Sequence, residues 1–225
     1  MIPVSTRSAV VRFKTGCRRG ADAVRELAFI LIHPVTGFED LKYKKSGSVL
    51  LAFVISLLWF INSVLERQFT GFRFNTFDTE NTNVFYIFIS TVVMFCFFVL
   101  ANWSLCTLFD GEGTLKEIFI VSGYSIVPWV LSIFITMALS HFMLLEETAF
   151  LGFITIAGML WSVFLLFHGM MQIHSYSFAK TLFCLIGSVI GIALLLFLSF
   201  LLLLLFQQMF TFLSSVYEEI MLRMK

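Results

Sequence analysis

The chain has 225 residues, of which 59% are apolar and only 13% are charged. Soluble domains carry about 25% charged residues, so the composition excludes an ordinary water-soluble fold and predicts a protein solvated by lipid. The net charge of +1 gives no basis for binding nucleic acid.

The first 46 residues are the longest polar segment and are predicted to form a cytoplasmic basic arm followed by an interfacial helix. Within 21–32, apolar residues recur at helical spacing, which predicts a short helix lying in the membrane interface. We expect this helix to stop at His33, because Pro34 follows it. The Arg-rich start also resembles a mitochondrial presequence. The alternative is a basic arm over anionic lipid, with head-group contacts from Arg18, Arg19, Lys42, Lys44 and Lys45.

Five apolar segments are each about long enough to cross a hydrocarbon core, which takes about 20 residues. None of the five contains Asp, Glu, Lys, Arg or His. The sequence therefore predicts an all-α bundle of five transmembrane helices. The predicted spans are 47–65, 84–101, 118–139, 148–167 and 182–206.

The distribution of Lys and Arg predicts the orientation of these spans. Nine basic residues precede the first span, while the four gaps between spans hold two, one, none and one, and two more follow the last span. Placing the N-terminus in the cytoplasm puts eleven of the 15 on that side, as basic residues prefer. The C-terminus is then outside, with 207–225 as an extracytoplasmic tail. Its apolar residues recur every three or four positions, which indicates an amphipathic helix that bends onto the surface or extends beyond it.

The second gap contains the clearest local signals in the chain. Gly111 and Gly113 indicate a turn, and Thr114 stands three residues before Glu117, which is the spacing of a capping box. The third transmembrane helix is therefore predicted to start at Thr114.

Within the third span, Pro128 has no amide hydrogen to donate to the carbonyl of Tyr124. This predicts a kink that faces protein rather than lipid, because a freed backbone group in a membrane needs another partner. Beyond it, Ser132, Thr136 and Ser140 form a polar stripe at a spacing of four. Such a stripe suits close helix packing, and it is also the sequence's only candidate for a polar path through the bundle.

Small and polar residues in other spans suggest further packing contacts. Gly187 and Gly191 form a G-x-x-x-G motif, which predicts packing either within the bundle or between two copies. Asn62 and Asn102 stand near span ends, where we expect the interface to solvate them.

Candidate catalytic and metal-binding groups are few. Asp110 and Glu112 could form an acid–base pair or bind a cation, but the favoured interpretation is a solvated turn that caps the third helix. His33, His168 and His174 would need to converge on one of these carboxylates to bind a metal, and their spacings match no metal motif. We therefore expect no metal, no cofactor and no enzymatic activity.

Several segments in one order resemble the Yip family of Ypt-interacting membrane proteins. The resemblance implies a five-span, non-enzymatic protein, whose eukaryotic relatives are associated with prenylated Rab GTPases and vesicle traffic. A long N-terminal region and a clear Asp-Leu-Tyr-Gly-Pro element are not seen here, which favours a bacterial relative in the cytoplasmic membrane. The matching residues are His33-Pro34 with Gly37-Phe38, Trp103 with 108–113, and Phe119 with 123–128. The positions expected to matter are Trp103, Asp110, Gly111, Glu112, Gly113, Gly123, Tyr124 and Pro128.

Three functions are consistent with these features. The first is an accessory or scaffold protein for another membrane protein, such as an ABC transporter, or a homo-oligomer that organises membrane. The second is a transport component, since Asp110-Gly111, Phe119 and Pro128 resemble the coupling loop of sugar-type ABC permeases. However, Leu105-Cys106-Thr107 stands where those permeases have Glu-Ala-Ala, and five spans is one fewer than their common core. A remote third alternative is an intramembrane enzyme using His168 or His174.

Overall fold

The computed structural model describes residues 22–45, 47–75 and 82–223, and every regular element in these ranges is helical. Five of the helices, α3 to α7, are long and apolar enough to cross a membrane. The predicted all-α, five-span fold is thus confirmed. The helices are α1 (22–32), α2 (Pro34–Lys44), α3 (Val49–Phe69), α4 (Val84–Leu108), α5 (Leu115–Leu139), α6 (Thr148–His174) and α7 (Phe178–Arg223).

The short helices α1 and α2 meet at a break on His33. The break lies where Pro34 was expected to end the first helix, but the same proline also starts α2, since a helix accepts proline in its first turn. Helix α2 was not predicted from the sequence, in which its residues indicated only a link between the interfacial helix and the first span. Phe38 and Leu41 are buried on one side of α2, which packs against α6.

The larger of the two buried apolar clusters includes residues of α1 and α2, and we call the end of the bundle that holds α1, α2 and the loop 109–114 the predicted cytoplasmic end. Tyr124 and Phe38 have no exposed surface there. Their apolar cluster joins α1, α2, α3, α4, α5 and α6, so it holds the loop and α2 in place. The buried members are Ile30, Phe38, Leu41, Ala52, Ile55, Phe95, Val99, Ile118, Ile120, Val121, Tyr124, Leu165, Met170 and Ile173.

Helix α5 is interrupted at Ile126, two residues before Pro128, as the proline led us to expect. The amide of Trp129, just after the break, donates to the hydroxyl of Ser162 in α6 at 2.9 Å. In α3, the side-chain amide of Asn62 donates to the carbonyl of Val130 at 3.1 Å. Neighbouring helices therefore supply the hydrogen bonds that lipid could not.

Two asparagines were expected to be solvated at span ends, and this expectation is wrong. Asn62 is 5% exposed and Asn102 is 1% exposed. Asn102 donates to the hydroxyl of Ser188 in α7 at 3.0 Å and lies 3.7 Å from the sulfur of Cys106. The amides bind protein partners on adjacent helices instead of water, so they join helices inside the bundle.

Helix α7 is one continuous helix of 46 residues. At 1.5 Å per residue it is about 69 Å long, more than twice the ~30 Å hydrocarbon core. From residue 201 to residue 223 every side chain is exposed. The part of the predicted tail that the structure describes, 207–223, therefore extends the last span in line and does not bend. Its location outside the membrane stays a prediction.

Candidate functional site

The loop 109–114 links α4 to α5, and local hydrogen bonds fix its shape. Helix α4 ends in a left-handed residue, Asp110, with φ of 55°, a conformation that Asp tolerates better than most residues. The Gly111 amide donates back to the carbonyl of Cys106 at 2.8 Å, the six-to-one bond of a Schellman ending. At the other end of the loop, Thr114 and Glu117 form the predicted capping box.

His174 and Tyr176, where α6 leads into α7, hydrogen-bond to the backbone of this loop and of the end of α4. The hydroxyl of Tyr176 lies 2.9 Å from the carbonyl oxygen of Cys106 and 3.0 Å from that of Phe109. The Nδ1 atom of His174 accepts a hydrogen bond from the amide of Gly113 at 3.3 Å. The rings of His174 and Tyr176 stack, with centroids 5.2 Å apart. Backbone groups that a helix end leaves free are therefore satisfied by two buried side chains.

The glycines of the loop are needed because the loop backbone lies so close to these rings. A Cβ on Gly111 would lie 2.6 Å from both His174 Nδ1 and the Tyr176 hydroxyl oxygen. A Cβ on Gly113 would lie 2.5 Å from a methyl carbon of Ile173. Any larger residue would push the loop away from its support.

An ion pair connects the same loop to α2. The Lys42 ammonium lies 2.6 Å from Glu112, and Ser175 donates to the same carboxylate at 3.0 Å. The bonds from Lys42 and Ser175 lower the pKa of Glu112 below its usual value. The Lys42 side chain is 16% exposed and that of Glu112 is 65% exposed. Lys42 has less contact with water than Glu112, so loss of the ion pair would leave the lysine charge with little to stabilise it.

The lysines expected to contact lipid head groups differ in their surroundings. Lys42 pairs with Glu112, and Lys44 pairs with Asp40 one turn earlier at 2.6 Å. Lys45 is exposed just after the end of α2. Arg18 and Arg19 lie outside the described residues. Head-group binding stays a prediction.

Tyr124 connects α5 to the start of α3. It is fully buried, and its hydroxyl oxygen accepts the backbone amide of Ser48 at 3.1 Å. A Cβ on Gly123 would lie 2.9 Å from the Cβ of Ala52, so the two helices approach closely at this level. Trp103, by contrast, is 40% exposed on α4 and contributes nothing to the loop contacts described above.

The predicted packing residues lie between helices of the same chain. A Cβ on Gly187 would lie 3.1 Å from both terminal methyls of Leu105, and one on Gly191 would lie 3.1 Å from Ala101. Both glycines therefore face α4. This placement favours packing within the bundle.

The hydroxyls of the polar stripe bond to their own helix. The Ser132 hydroxyl donates to the carbonyl of Trp129 at 2.8 Å, and that of Thr136 to Ile133 at 3.0 Å. Ser132 also lies against Gly158 of α6. These contacts suit helix packing.

The histidines considered for metal binding or catalysis each contact different aromatic rings. His33 stacks on Phe29, His168 packs on Phe164, and His174 stacks on Tyr176. Across residues 22–45, 47–75 and 82–223, no three His, Cys, Asp or Glu side chains are grouped to hold a metal ion.

Five apolar helices joined by polar interhelical bonds define a multi-pass α-helical membrane protein. The family model described as the Yip1 domain matches residues 28–213. This range includes the loop 109–114, the whole of α3 to α6 and most of α7. The chain therefore belongs to the Yip1 family, and the resemblance noted in its sequence is confirmed. A search of curated proteins and a search of solved structures each found no match.

Proposed function

We propose that this protein is a non-enzymatic membrane scaffold that binds another membrane protein at its predicted cytoplasmic end. The docking surface consists of the loop 109–114, the C-terminal end of α2 and Ser175. The observation that carries the proposal is that this polar surface is exposed while the side chains beneath it, His174 and Tyr176, are buried and hydrogen-bonded to the loop backbone.

The support matters because a preformed surface loses little conformational entropy on binding. His174 and Tyr176 are buried beneath the loop, whereas Asp110 and Glu112 are exposed on it. Tyr43, beside the ion-paired lysine of α2, is 73% exposed. Tyrosine among charged groups is typical of residues that contribute strongly to protein interfaces.

The proposed partner is an integral membrane protein, such as an ABC transporter, or a second copy of this chain. We place the protein in the cytoplasmic membrane of a bacterium, with its docking surface in the cytoplasm. The support for this orientation is the excess of basic residues on that side.

Gentle-detergent purification of the tagged chain from its native membrane tests the proposal. We expect a partner in fixed stoichiometry with the wild type. Asp110→Arg reverses an exposed charge on the docking surface and should lower recovery of the partner at least tenfold. The matched control is Glu146→Arg, an exposed substitution before α6, which should retain the partner. Recovery of the wild-type chain alone as a monomer would contradict the scaffold role.

The transport alternative requires a polar path, and the stripe 132–140 is its only candidate. Because Ser132 and Thr136 already bond to carbonyls of their own helix, we propose a packing role for them. Solute uptake that stops when both are replaced by Ala, in a protein that still folds, would favour transport instead.

A further inference from the structure

A second candidate site lies at the break in α5. A cleft of about 290 Å³ is bounded by side chains of α3, α4, α5 and α6. Its volume is about twice that of a ~150 Å³ protein cavity known to hold benzene. The residues that matter here are Trp59, Phe98, Ser122, Ser125, Trp129 and Met159.

Two hydroxyls in this cleft lack partners. Ser122 and Ser125 are each 1% exposed, and within the described part of the chain neither side-chain oxygen has a hydrogen-bond partner. Other buried hydroxyls in the described spans donate to a carbonyl one turn back, as Thr91 and Ser188 do at 2.7 Å. An unpaired buried hydroxyl is costly. The two serines therefore point to a ligand that accepts their hydrogen bonds.

The rest of the lining constrains that ligand. Among the described residues no charged side chain borders the cleft, so the bound part of the ligand is uncharged. Met159 is 49% exposed on the surface of α6, which leaves the cleft open toward lipid. The ligand can therefore enter from the bilayer without crossing water.

The depth of the serines indicates which lipid group they meet. Ser122 and Ser125 lie seven and ten residues after Leu115, the start of α5, which is about 10 and 15 Å along the helix. The headgroup and interfacial layer is roughly 5–8 Å thick on each side of the hydrocarbon core. Taking Leu115 as the outer edge of that layer, the two hydroxyls lie about 2–10 Å inside the hydrocarbon core. They are then below the charged head groups, and the ester carbonyl is the deepest hydrogen-bond acceptor that a glycerolipid can bring to them.

We propose that the cleft binds one membrane lipid, with an ester carbonyl accepting hydrogen bonds from Ser122 and Ser125 and an acyl chain lying against the aromatic side chains. The site is separate from the docking surface, and the proposal does not depend on the scaffold role.

Tryptophan fluorescence gives a direct test, because Trp59 and Trp129 line the cleft. The full-length protein carrying Trp103→Phe and Trp161→Phe keeps only these two of its four tryptophans. It is titrated in detergent with phosphatidylcholine whose acyl chains are brominated, which quenches nearby tryptophan. We expect saturable quenching.

Two matched comparisons isolate the hydrogen bonds. Replacing both serines by Ala should weaken binding about 25-fold, at about 5-fold for each lost hydrogen bond. The ether-linked analogue of the same lipid has no ester carbonyl, and it should bind to the wild type more weakly than the ester lipid by a similar factor. The Ser122→Ala/Ser125→Ala protein should no longer distinguish ester from ether lipid. Ser63→Ala, whose hydroxyl bonds the Trp59 carbonyl, serves as the control and should bind as the wild type does.

Thermal unfolding without probe lipid separates binding from folding. The double Ala variant should unfold at the same temperature or higher, because it loses only unpaired hydroxyls. Quenching that does not saturate, or equal affinity for ester and ether lipid in the wild type, would overturn the proposal. So would displacement of the brominated lipid by decylubiquinone at equal mole fraction, which would assign the cleft to a quinone.

Discussion

Replacing Gly113 by Ala tests how closely the loop 109–114 must approach its support. The added Cβ would lie 2.5 Å from a methyl of Ile173 and 2.7 Å from the His174 ring, well inside the 3.4–4 Å of ordinary contacts. Both neighbours are buried, with Ile173 at 0% and His174 at 2% exposure. Neither can move aside into solvent, so the loop must shift.

The magnitude follows from two opposing effects. Overpacking of a well-filled site costs about 1–3 kcal/mol. Replacing Gly by Ala restricts the unfolded chain, which by itself raises the free energy of unfolding by about 0.4–1 kcal/mol. The net loss of stability is therefore about 1.3 kcal/mol at the middle of the two ranges, which lowers the melting temperature of a chain this long by roughly 3–5 °C.

The assay is thermal unfolding of the purified protein in one detergent, followed by hydrogen exchange of the loop amides. The control is Gly152→Ala in α6, where a Cβ would meet no atom within 4 Å. Because Ala favours a helix interior over Gly by about 1 kcal/mol, this variant should melt at or above the wild-type temperature. If Gly113→Ala melted as high as Gly152→Ala, the close approach argued here would be refuted.

Three further predictions concern bonds between elements. Glu112→Gln should speed hydrogen exchange in α2. In the wild type the protection factors of α2, which correct for the intrinsic pH dependence of exchange, should fall as the pH falls through the folded-state pKa of Glu112. The reason is that a carboxylate whose pKa is lowered by folding stabilises the fold only while it is ionised. Protection factors of α2 that do not change with pH would contradict this. Ser162→Ala leaves the Trp129 amide unpaired and should lower the free energy of unfolding in detergent by about 1–3 kcal/mol. Ser162→Thr keeps a hydroxyl at this position and should retain most of the wild-type stability. Gly187→Leu should separate α7 from α4 and cost about 1–3 kcal/mol, while the lipid-facing Val189→Leu should cost nothing measurable.

The features predicted correctly from sequence depend on short-range chemistry. The capping box needs only the spacing of Thr114 and Glu117, and both side chains bond as that spacing predicts. The apolar spans depend on length and composition alone. Pro128 has no amide hydrogen whatever its surroundings, so a break nearby was predictable.

The features missed depend on how distant segments meet. Lys42 is 70 positions from Glu112 and 133 positions from Ser175, and charge patterning along a sequence cannot pair such residues. The asparagine at 102 was misjudged because depth along a span does not reveal which side faces protein. Helix α2 was missed because Pro34 was considered only as a stop, although proline also starts helices.

The supporting residues His174 and Tyr176 had one weak signal in the sequence. They lie between the last two spans, in a polar segment where histidine was considered only for metal binding or catalysis. Their actual role, holding the carbonyl and amide groups of another loop, requires burial that the sequence does not show.

The proposed role of the loop 109–114 is an interface with another membrane protein. The most direct measurement is photo-crosslinking in native membranes, with benzoylphenylalanine placed at Asp110 in one variant and at Phe142 in another. Both sites are exposed, but Phe142 follows the far end of α5. We expect one discrete crosslinked partner from position 110 and none from position 142. Equal crosslinking from both positions, or none from position 110, would contradict it.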